Sequence, residues 1–329
     1  MNTINKIISN FLKDPNDNSN IVFDETSNSF KSKNNEFIKK NSIYDFFLNE
    51  NESDNITTKQ EAFYEEIKFP NYDGLETFGD LIDKSGKQSH LAAILDKQIA
   101  YNSKILEVGC GTGQLSLFLK RFNRLIVGTD LSIPSLKLAE DFRKRNEINN
   151  VFFTKMNLFN LTFKEEIFDY VISNGVLHHT YNTEKAFSKI LKPLKKDGYI
   201  IIGLYHKYGR LYTNLRQKLI KLFGDKFKFL DKRTIDLKIS AEKRYAWLND
   251  QYKNPKESSH TLQEVKKWFQ KYNIEYLSSI PFDKVNKDTN IFNKKSSNYP
   301  FLSLKEISMM FSLSQIKEGG FFVVIGKKN

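Results

Sequence analysis

Residues 104–114 read Lys-Ile-Leu-Glu-Val-Gly-Cys-Gly-Thr-Gly-Gln. Ile105, Leu106 and Val108 make a short apolar run suited to a buried strand. Gly109, Gly111 and Gly113 follow at once, and the apolar positions Leu115, Leu117, Phe118 and Leu119 then take the spacing of a helix. Strand, glycine turn and helix in this order open a βαβ unit whose turn cradles a nucleotide-like ligand. Glycine suits the turn because the ligand approaches the backbone closely and because the turn can require a positive φ.

The glycine spacing discriminates between ligands. A dinucleotide fingerprint needs G-x-G-x-x-G, and its third glycine fails because position 114 is Gln. An acid, Glu107, instead stands two residues before G-x-G-x-G. This arrangement resembles motif I of the class I S-adenosylmethionine-dependent methyltransferases. The chemistry agrees, since that cofactor has no pyrophosphate to place on a helix N-terminus. Its sulfonium and amino group favour a nearby acid and backbone carbonyls.

The rest of the unit follows in order. Residues 124–130 form a second apolar run ending in Asp130, 23 positions after Glu107. That spacing suits a carboxylate that accepts hydrogen bonds from both ribose hydroxyls. Residues 151–157 give a third strand ending at Asn157, where the family usually carries an Asp facing the adenine amino group; an amide oxygen can also accept. Residues 168–174 give a fourth strand. The segment Gly175-Val176-Leu177-His178-His179-Thr180 after it resembles the branch containing quinone-ring C-methyltransferases and many small-molecule enzymes. Residues 199–205 give a fifth strand. The resemblance is close over 86–206 and loose over 255–329. It implies a Rossmann-like α/β fold, a seven-stranded mostly parallel sheet with helices on both faces and an antiparallel last strand. It implies S-adenosyl-L-methionine as cofactor, held by Glu107, Gly109, Cys110, Gly111, Gly113, Asp130, Leu131, Asn157, Leu158 and Asn174.

Composition narrows the setting. The chain has 329 residues, 40% of them hydrophobic, and a single cysteine, Cys110. It can bury a substantial core and cannot form an internal disulfide. No apolar run is long enough to span a bilayer, and no signal peptide is legible, so the expected location is cytoplasmic. The net charge of +12 invites a nucleic-acid reading, but only eight cations are Arg. Arg is the residue suited to bidentate phosphate or base recognition, so nucleic acid is an unexpected partner.

Two regions organise the chain. Residues 1–59 form an N-terminal extension with spaced apolar residues at Ile21, Phe23, Phe30, Phe37 and Ile43. The layout resembles the small zinc-ribbon module that precedes some methyltransferase domains. No Cys or His occurs before His90, so such a module would be metal-free, and no metal is expected in the site. The alternative is a partly disordered extension. Residues 60–329 read as the methyltransferase domain with insertions at 207–253 and 281–318. Thr261-Leu262-Gln263-Glu264 is a capping box opening a helix, and residues 273–280 and 321–325 are the last strands.

The acceptor is less legible. Amino-methyltransferases that act on adenine, cytosine or glutamine carry a Pro-Pro-aromatic turn after the fourth strand, and here that turn is Ser173-Asn174-Gly175-Val176. Cytosine C5 chemistry needs a nucleophilic thiolate, and Cys110 lies in the cofactor loop. A small-molecule, lipid or glycan acceptor taking the methyl on oxygen or carbon remains, or a small amine. His178 and His179 follow the fourth strand, where a base could reach the acceptor. Phe69, Tyr72, Tyr205, His206, Tyr208 and Arg210 are the expected substrate contacts. The insertion 207–253, with the apolar stripe Leu211, Leu215, Leu219 and Leu222 and the aromatics Tyr208, Tyr212, Tyr245 and Trp247, is expected to form the wall of the acceptor site, as a lid, together with the helices of 60–86; the alternative is a structural appendage or an oligomer contact. An RNA methyltransferase and a non-catalytic methyltransferase-like subunit are the rival readings.

Overall fold

The structure is a computed structural model that describes residues 2–49, 55–66, 77–88, 90–237, 239–283, 289–294, 302–311 and 320–329. Helix α1 (Asn2–Ser9) leads into an antiparallel meander of β1 (Val22–Asp24), β2 (Ser29–Lys31) and β3 (Glu36–Phe37), then a hairpin of β4 (Lys39–Lys40) and β5 (Ile43–Asp45). Helices α2 (Asn55–Glu66), α3 (Phe78–Gln88) and α4 (His90–Gln98) precede the first motif strand. Strands and helices then alternate: β6 (Lys104–Val108), α5 (Gln114–Phe118), β7 (Leu125–Asp130), α6 (Ile133–Arg145), β8 (Val151–Lys155), β9 (Phe168–Asn174), α7 (Thr183–Ile190) and β10 (Leu194–Tyr205). The first insertion carries α8 (Leu211–Phe223), α9 (Lys232–Ile235) and α10 (Ala241–Leu248). The chain closes with α11 (Leu262–Lys271), β11 (Ile274–Ile280), α12 (Leu302–Ser308) and β12 (Phe321–Lys328).

The main sheet runs β11-β12-β10-β9-β6-β7-β8-β5-β4. Strands β10, β9, β6, β7, β8 and β5 are parallel, and β12 lies antiparallel between β10 and β11. The strand order reverses beside β6, so the crevice at the carboxyl ends of β6 and β9 is the switch point where open α/β sheets take ligands. The central strands are apolar on both faces because helices cover both. Leu106, Val127 and Val171 face one apolar layer, and Ile105, Ile126 and Ile172 face the other. Three local signals set helix starts: Ser132, Asn182 and, at the predicted capping box, Thr261 each accept a hydrogen bond from the backbone three residues on.

Among the described residues the sheet has nine strands, which corrects the expected seven. The additional pair comes from the N-terminal extension. Strand β5 adds to β8 in parallel, Tyr44 beside Thr154 and Asp45 beside Lys155. The Thr154 hydroxyl donates to the Tyr44 carbonyl at 2.8 Å. The cause is aromatic burial. Phe30 packs edge-on against Tyr44 at 4.7 Å and Phe46 at 5.1 Å, and Tyr44 stacks on Phe152 of β8 at 6.0 Å. Ile8, Phe11 and Leu12 enter the same apolar layer as Leu106 and Val171.

A buried arginine fixes the opposite flank. Arg124 is fully buried and donates to the Asp96, Ile99, Ala100 and Leu119 carbonyls and to the Asp96 carboxylate at 2.9 Å. It thereby satisfies carbonyls left open where α4 ends. Burial lowers its pKa to about 10, which still leaves it charged at neutral pH.

Because the extension shares a core with the sheet, Phe30→Ala should destabilise the whole protein by about 3–5 kcal/mol. Urea denaturation followed by far-UV circular dichroism measures this. An unchanged main transition would instead mark the extension as an independent appendage.

Candidate active site

The cofactor loop is closed by one carboxylate. Asp130, at the end of β7, accepts from the Gly111 amide at 2.8 Å through Oδ2 and from the Ser132 amide at 2.9 Å through Oδ1. Each oxygen keeps a lone pair for a further donor. Burial raises its pKa, and the amides it accepts from oppose that. Gly109 has φ +75°, and a Cβ there would lie 2.2 Å from the Val176 side chain. Gly113 has φ +72°, and a Cβ there would lie 2.5 Å from the Phe153 ring. No residue with a side chain fits either place without displacing its neighbours.

Glu107, one residue before the end of β6, is a buried acid. Its carboxylate accepts from the Ser116 hydroxyl and has no cation paired to it among the described residues. Burial pushes its pKa up to about 7, with Asp130 adding repulsion and Ser116 opposing. Burial also raises the Cys110 thiol well above its ordinary value, so it is not a thiolate nucleophile at neutral pH.

These groups line a cavity of about 500 Å³. One side holds Glu107, Gly109, Cys110, Gly111, Asp130, Leu131, Asn157, Leu158 and Asn174. The other is built from Gln60 and Tyr64 of α2, His179, Tyr205 at the end of β10, and Trp247, Asp250 and Gln251. Asn157 uses Oδ1 to accept from the Phe159 amide at 3.0 Å and Nδ2 to reach the Leu48 carbonyl at 3.4 Å. The second lone pair of Oδ1 remains for a ligand donor.

His179 has its tautomer set by a neighbour. Its Nδ1 lies 3.0 Å from the Lys256 carbonyl. A carbonyl only accepts, so Nδ1 carries the proton and Nε2 keeps a lone pair. Asp250 receives a 2.8 Å hydrogen bond from Gln251 Nε2 and a 3.4 Å one from the Tyr64 hydroxyl. The Tyr205 hydroxyl accepts from Gln251 Nε2 at 2.8 Å, and burial raises its pKa.

Several expected residues take other places. Gly113 caps α5 and packs on Phe153, outside the cavity lining. His178 is fully buried behind His179, its ring 4.0 Å from that of Tyr205, with no hydrogen-bond partner for either nitrogen. Burial holds it well below its ordinary pKa, so it stays neutral. His206 lies on the side away from the cavity, its ring 5.4 Å from Phe282 and 5.2 Å from Phe322. The reason is side-chain alternation: Tyr205 faces the cavity, so its successor faces the other layer. Tyr208 is also outside the lining, packed at 5.9 Å from the His206 ring. Arg210 stands one layer behind the wall, stacked 3.5 Å from the Tyr205 ring centre and paired bidentately with Glu257. It also donates to Gln251 Oε1 at 2.7 Å and so holds the wall in position. Phe69 and Tyr72 lie outside the described residues.

The lid expectation is corrected in its details. Leu211, Leu215 and Leu222 face solvent. The insertion reaches the cavity through Trp247, one of its expected aromatics, and through Asp250 and Gln251. Asp250 and Gln251 lie on a π-helical turn, Asn249–Lys253, that continues α10. A π turn breaks the 3.6-residue period by which sequence reasoning assigns faces, which hid these residues. Gln60 and Tyr64 lie in the segment 60–86 expected in the acceptor wall, but its individual contacts are not legible because α2 is weakly amphipathic and its docking depends on distant partners. The Ser132 hydroxyl donates to the Tyr64 carbonyl at 2.8 Å, Gln60 Nε2 donates to Asn254 Oδ1 at 2.7 Å, and Lys155 pairs with Glu61.

The donor set fits S-adenosyl-L-methionine. Asp130 offers two acceptors to a pair of ribose hydroxyls, and Glu107 offers a buried anion to a cation. The comparisons agree. Residues 99–295 match the methyltransferase domain family. An uncharacterised protein of Methanocaldococcus jannaschii, MJ1123, is 36% identical over 116 residues, covering 34% of this chain and 51% of that protein. The ubiquinone biosynthesis O-methyltransferase of Glaesserella parasuis is 27% identical over 130 residues, 37% of this chain and 54% of that enzyme. Phosphoethanolamine N-methyltransferase 2 of Caenorhabditis elegans is 32% identical over 107 residues, 32% of this chain and 24% of that enzyme. The chain thus spans about half the length, or less, of the curated relatives it matches. Among solved structures, PKMT2 from Rickettsia typhi shares the fold, with TM-score 0.50, 15% identity, and 71% of this chain and 52% of that one covered. The match at 99–295 takes in more than half of the sequence, and the chain belongs to the S-adenosyl-L-methionine-dependent class I methyltransferase domain family.

Proposed function

We propose that this chain transfers a methyl group from S-adenosyl-L-methionine to a small, uncharged or cationic acceptor that carries a protic group, with His179 taking the acceptor's proton. The observation that carries this reading is the charge of the cavity. Among the described residues its lining holds Glu107, Asp130 and Asp250 and no Lys or Arg, although the chain as a whole is +12. A phosphorylated acceptor or an RNA backbone would be desolvated beside Asp250 with no lysine or arginine of the described lining to pair with it, which is unfavourable.

The cofactor supplies an activated methyl group, so the protein's task is positioning and exclusion of water. Asp130 orients the ribose and Glu107 holds the cationic end. Helix α2 and residues 247–251 close the acceptor side. Tyr64, Tyr205 and Trp247 give it aromatic walls with polar tips, suited to an amphipathic molecule. Nε2 of His179 is the free base that an oxygen or acidic-carbon acceptor needs. The test is transfer of a labelled methyl group to a panel of phenols, alcohols, amines and their phosphorylated analogues, with RNA alongside. Transfer to uncharged or amine acceptors supports the reading, and transfer confined to RNA or phosphorylated acceptors overturns it.

Three expectations attach to this site. His179→Ala should lower kcat by about 10²–10⁴-fold while the dissociation constant for S-adenosyl-L-methionine stays unchanged. Asp130→Ala should weaken cofactor binding by roughly 1.5–3 kcal/mol in calorimetry, through loss of charge-assisted hydrogen bonds.

The third is a pH dependence. The folded-state pKa of Glu107 lies above its ordinary value of 4.5, at about 7. Its ionised form is therefore disfavoured in the free protein, so the stability it contributes at acid pH is lost as pH rises towards 7. A bound cation favours the ionised form, so cofactor binding releases a proton below pH 7. Affinity should rise about tenfold between roughly pH 6 and pH 8, and Glu107→Gln should flatten the profile.

A further inference from the structure

We propose that the insertion spanning residues 211–245 docks on an anionic membrane surface. This goes beyond the methyl-transfer reading and does not depend on it. More than half of the large apolar side chains exposed among the described residues lie in this stretch. On α8 they form one face. Leu211, Leu215 and Leu222 are 46%, 56% and 76% exposed, while Ile220 on the opposite side is 4% exposed. With 100° per residue, positions 211, 215, 218 and 222 share one stripe, and it points away from the protein. Leu237, in the same insertion, is 87% exposed.

The buried edge of α8 explains why this face turns outward. Ile220 packs with Leu248 and Tyr252 in a small cluster of its own. Asp231 accepts from Trp247 Nε1 at 2.9 Å and from the Tyr252 hydroxyl at 2.8 Å. The insertion is therefore a thin plate. One side carries Trp247, Asp250 and Gln251 to the cavity, and the other presents leucines to solvent.

Charge identifies the occupant. Residues 211–244 contain ten Lys and Arg against four Asp and Glu, half of the chain's net charge of +12. Lys218 lies on the leucine stripe itself, and Lys221 is exposed beside it. A helix with leucines on one face and lysines on and beside it suits the boundary between lipid headgroups and acyl chains. A second copy of this chain would bring lysine against lysine. RNA would meet the lysines and leave the leucines in water. No helix among the described residues is long and apolar enough to cross a membrane, so the association is with the surface. An acceptor dissolved in the bilayer would then lie beside the wall of the site.

Flotation of the full chain with vesicles tests this, using phosphatidylcholine alone and phosphatidylcholine with about one-third phosphatidylglycerol. Binding to the anionic vesicles should be tighter by about tenfold or more, and should weaken as salt is raised. Leu215→Ser with Leu222→Ser should reduce it by about tenfold. Both positions are exposed, so the thermal transition and the affinity for S-adenosyl-L-methionine should stay at their parental values. Lys218→Glu with Lys221→Glu should abolish the preference for anionic lipid. The proposal is overturned if neither vesicle binds, or if the leucine variant binds as the parent does. A concentration-dependent dimer dispersed by the leucine substitutions would assign the face to a second copy. RNA binding that is lost in the lysine variant and kept in the leucine variant would assign it to nucleic acid.

Discussion

The site depends on the reach of a single carboxylate. Asp130 ends β7 and accepts from Gly111 in the loop after β6 and from Ser132 at the cap of α6. One side chain therefore fixes two loops and the start of a helix against each other. The loop can make that approach because Gly109 and Gly113 take positive φ where a Cβ would collide with Val176 or Phe153. Asp130 remains buried and raised in pKa, and its remaining lone pairs are left for donors of a ligand in the cavity. Preorganisation of this kind spares the ligand the cost of ordering its own site.

Around that carboxylate the protein inverts its own electrostatics. The surface is basic and the cavity acidic. Buried acids without a cationic partner are costly, and Glu107 shows the cost in a pKa near 7. Such a cavity stores a preference for a ligand that brings positive charge or hydrogen-bond donors. Arg210 acts on Asp250 from behind the wall, with its guanidinium also engaged by Glu257 and stacked on Tyr205. It stiffens the wall without entering it.

The two peripheral additions play different parts. The N-terminal extension is structural: its aromatics continue the apolar layer of the sheet, and β5 extends the sheet past β8. The insertion after β10 lines the cavity through a π turn and leaves its leucines outside. Helix α2 links the two, bonded to Ser132 at one end of the site and to Asn254 at the other.

The sequence by itself determined the central unit. Glu107, the three glycines and Asp130 act over short, fixed spacings, and strand, turn and helix follow from local periodicity and backbone freedom. The order of the βα elements, the cap at Thr261, and the antiparallel last strand were legible for the same reason. Contacts between distant segments were decided only by the tertiary structure. Strand β5 is too short to announce its partner, and it joins the sheet because Phe30, Tyr44 and Phe46 find Phe152 across more than a hundred residues. Which of the two adjacent histidines lines the cavity, and which of Tyr205 and His206 does, depends on the exit angle of one turn and one strand. The apolar stripe of α8 read as a lid because periodicity shows that a helix has two faces. Only the seating of Ile220 against Leu248 and Tyr252 decided which face the protein covers.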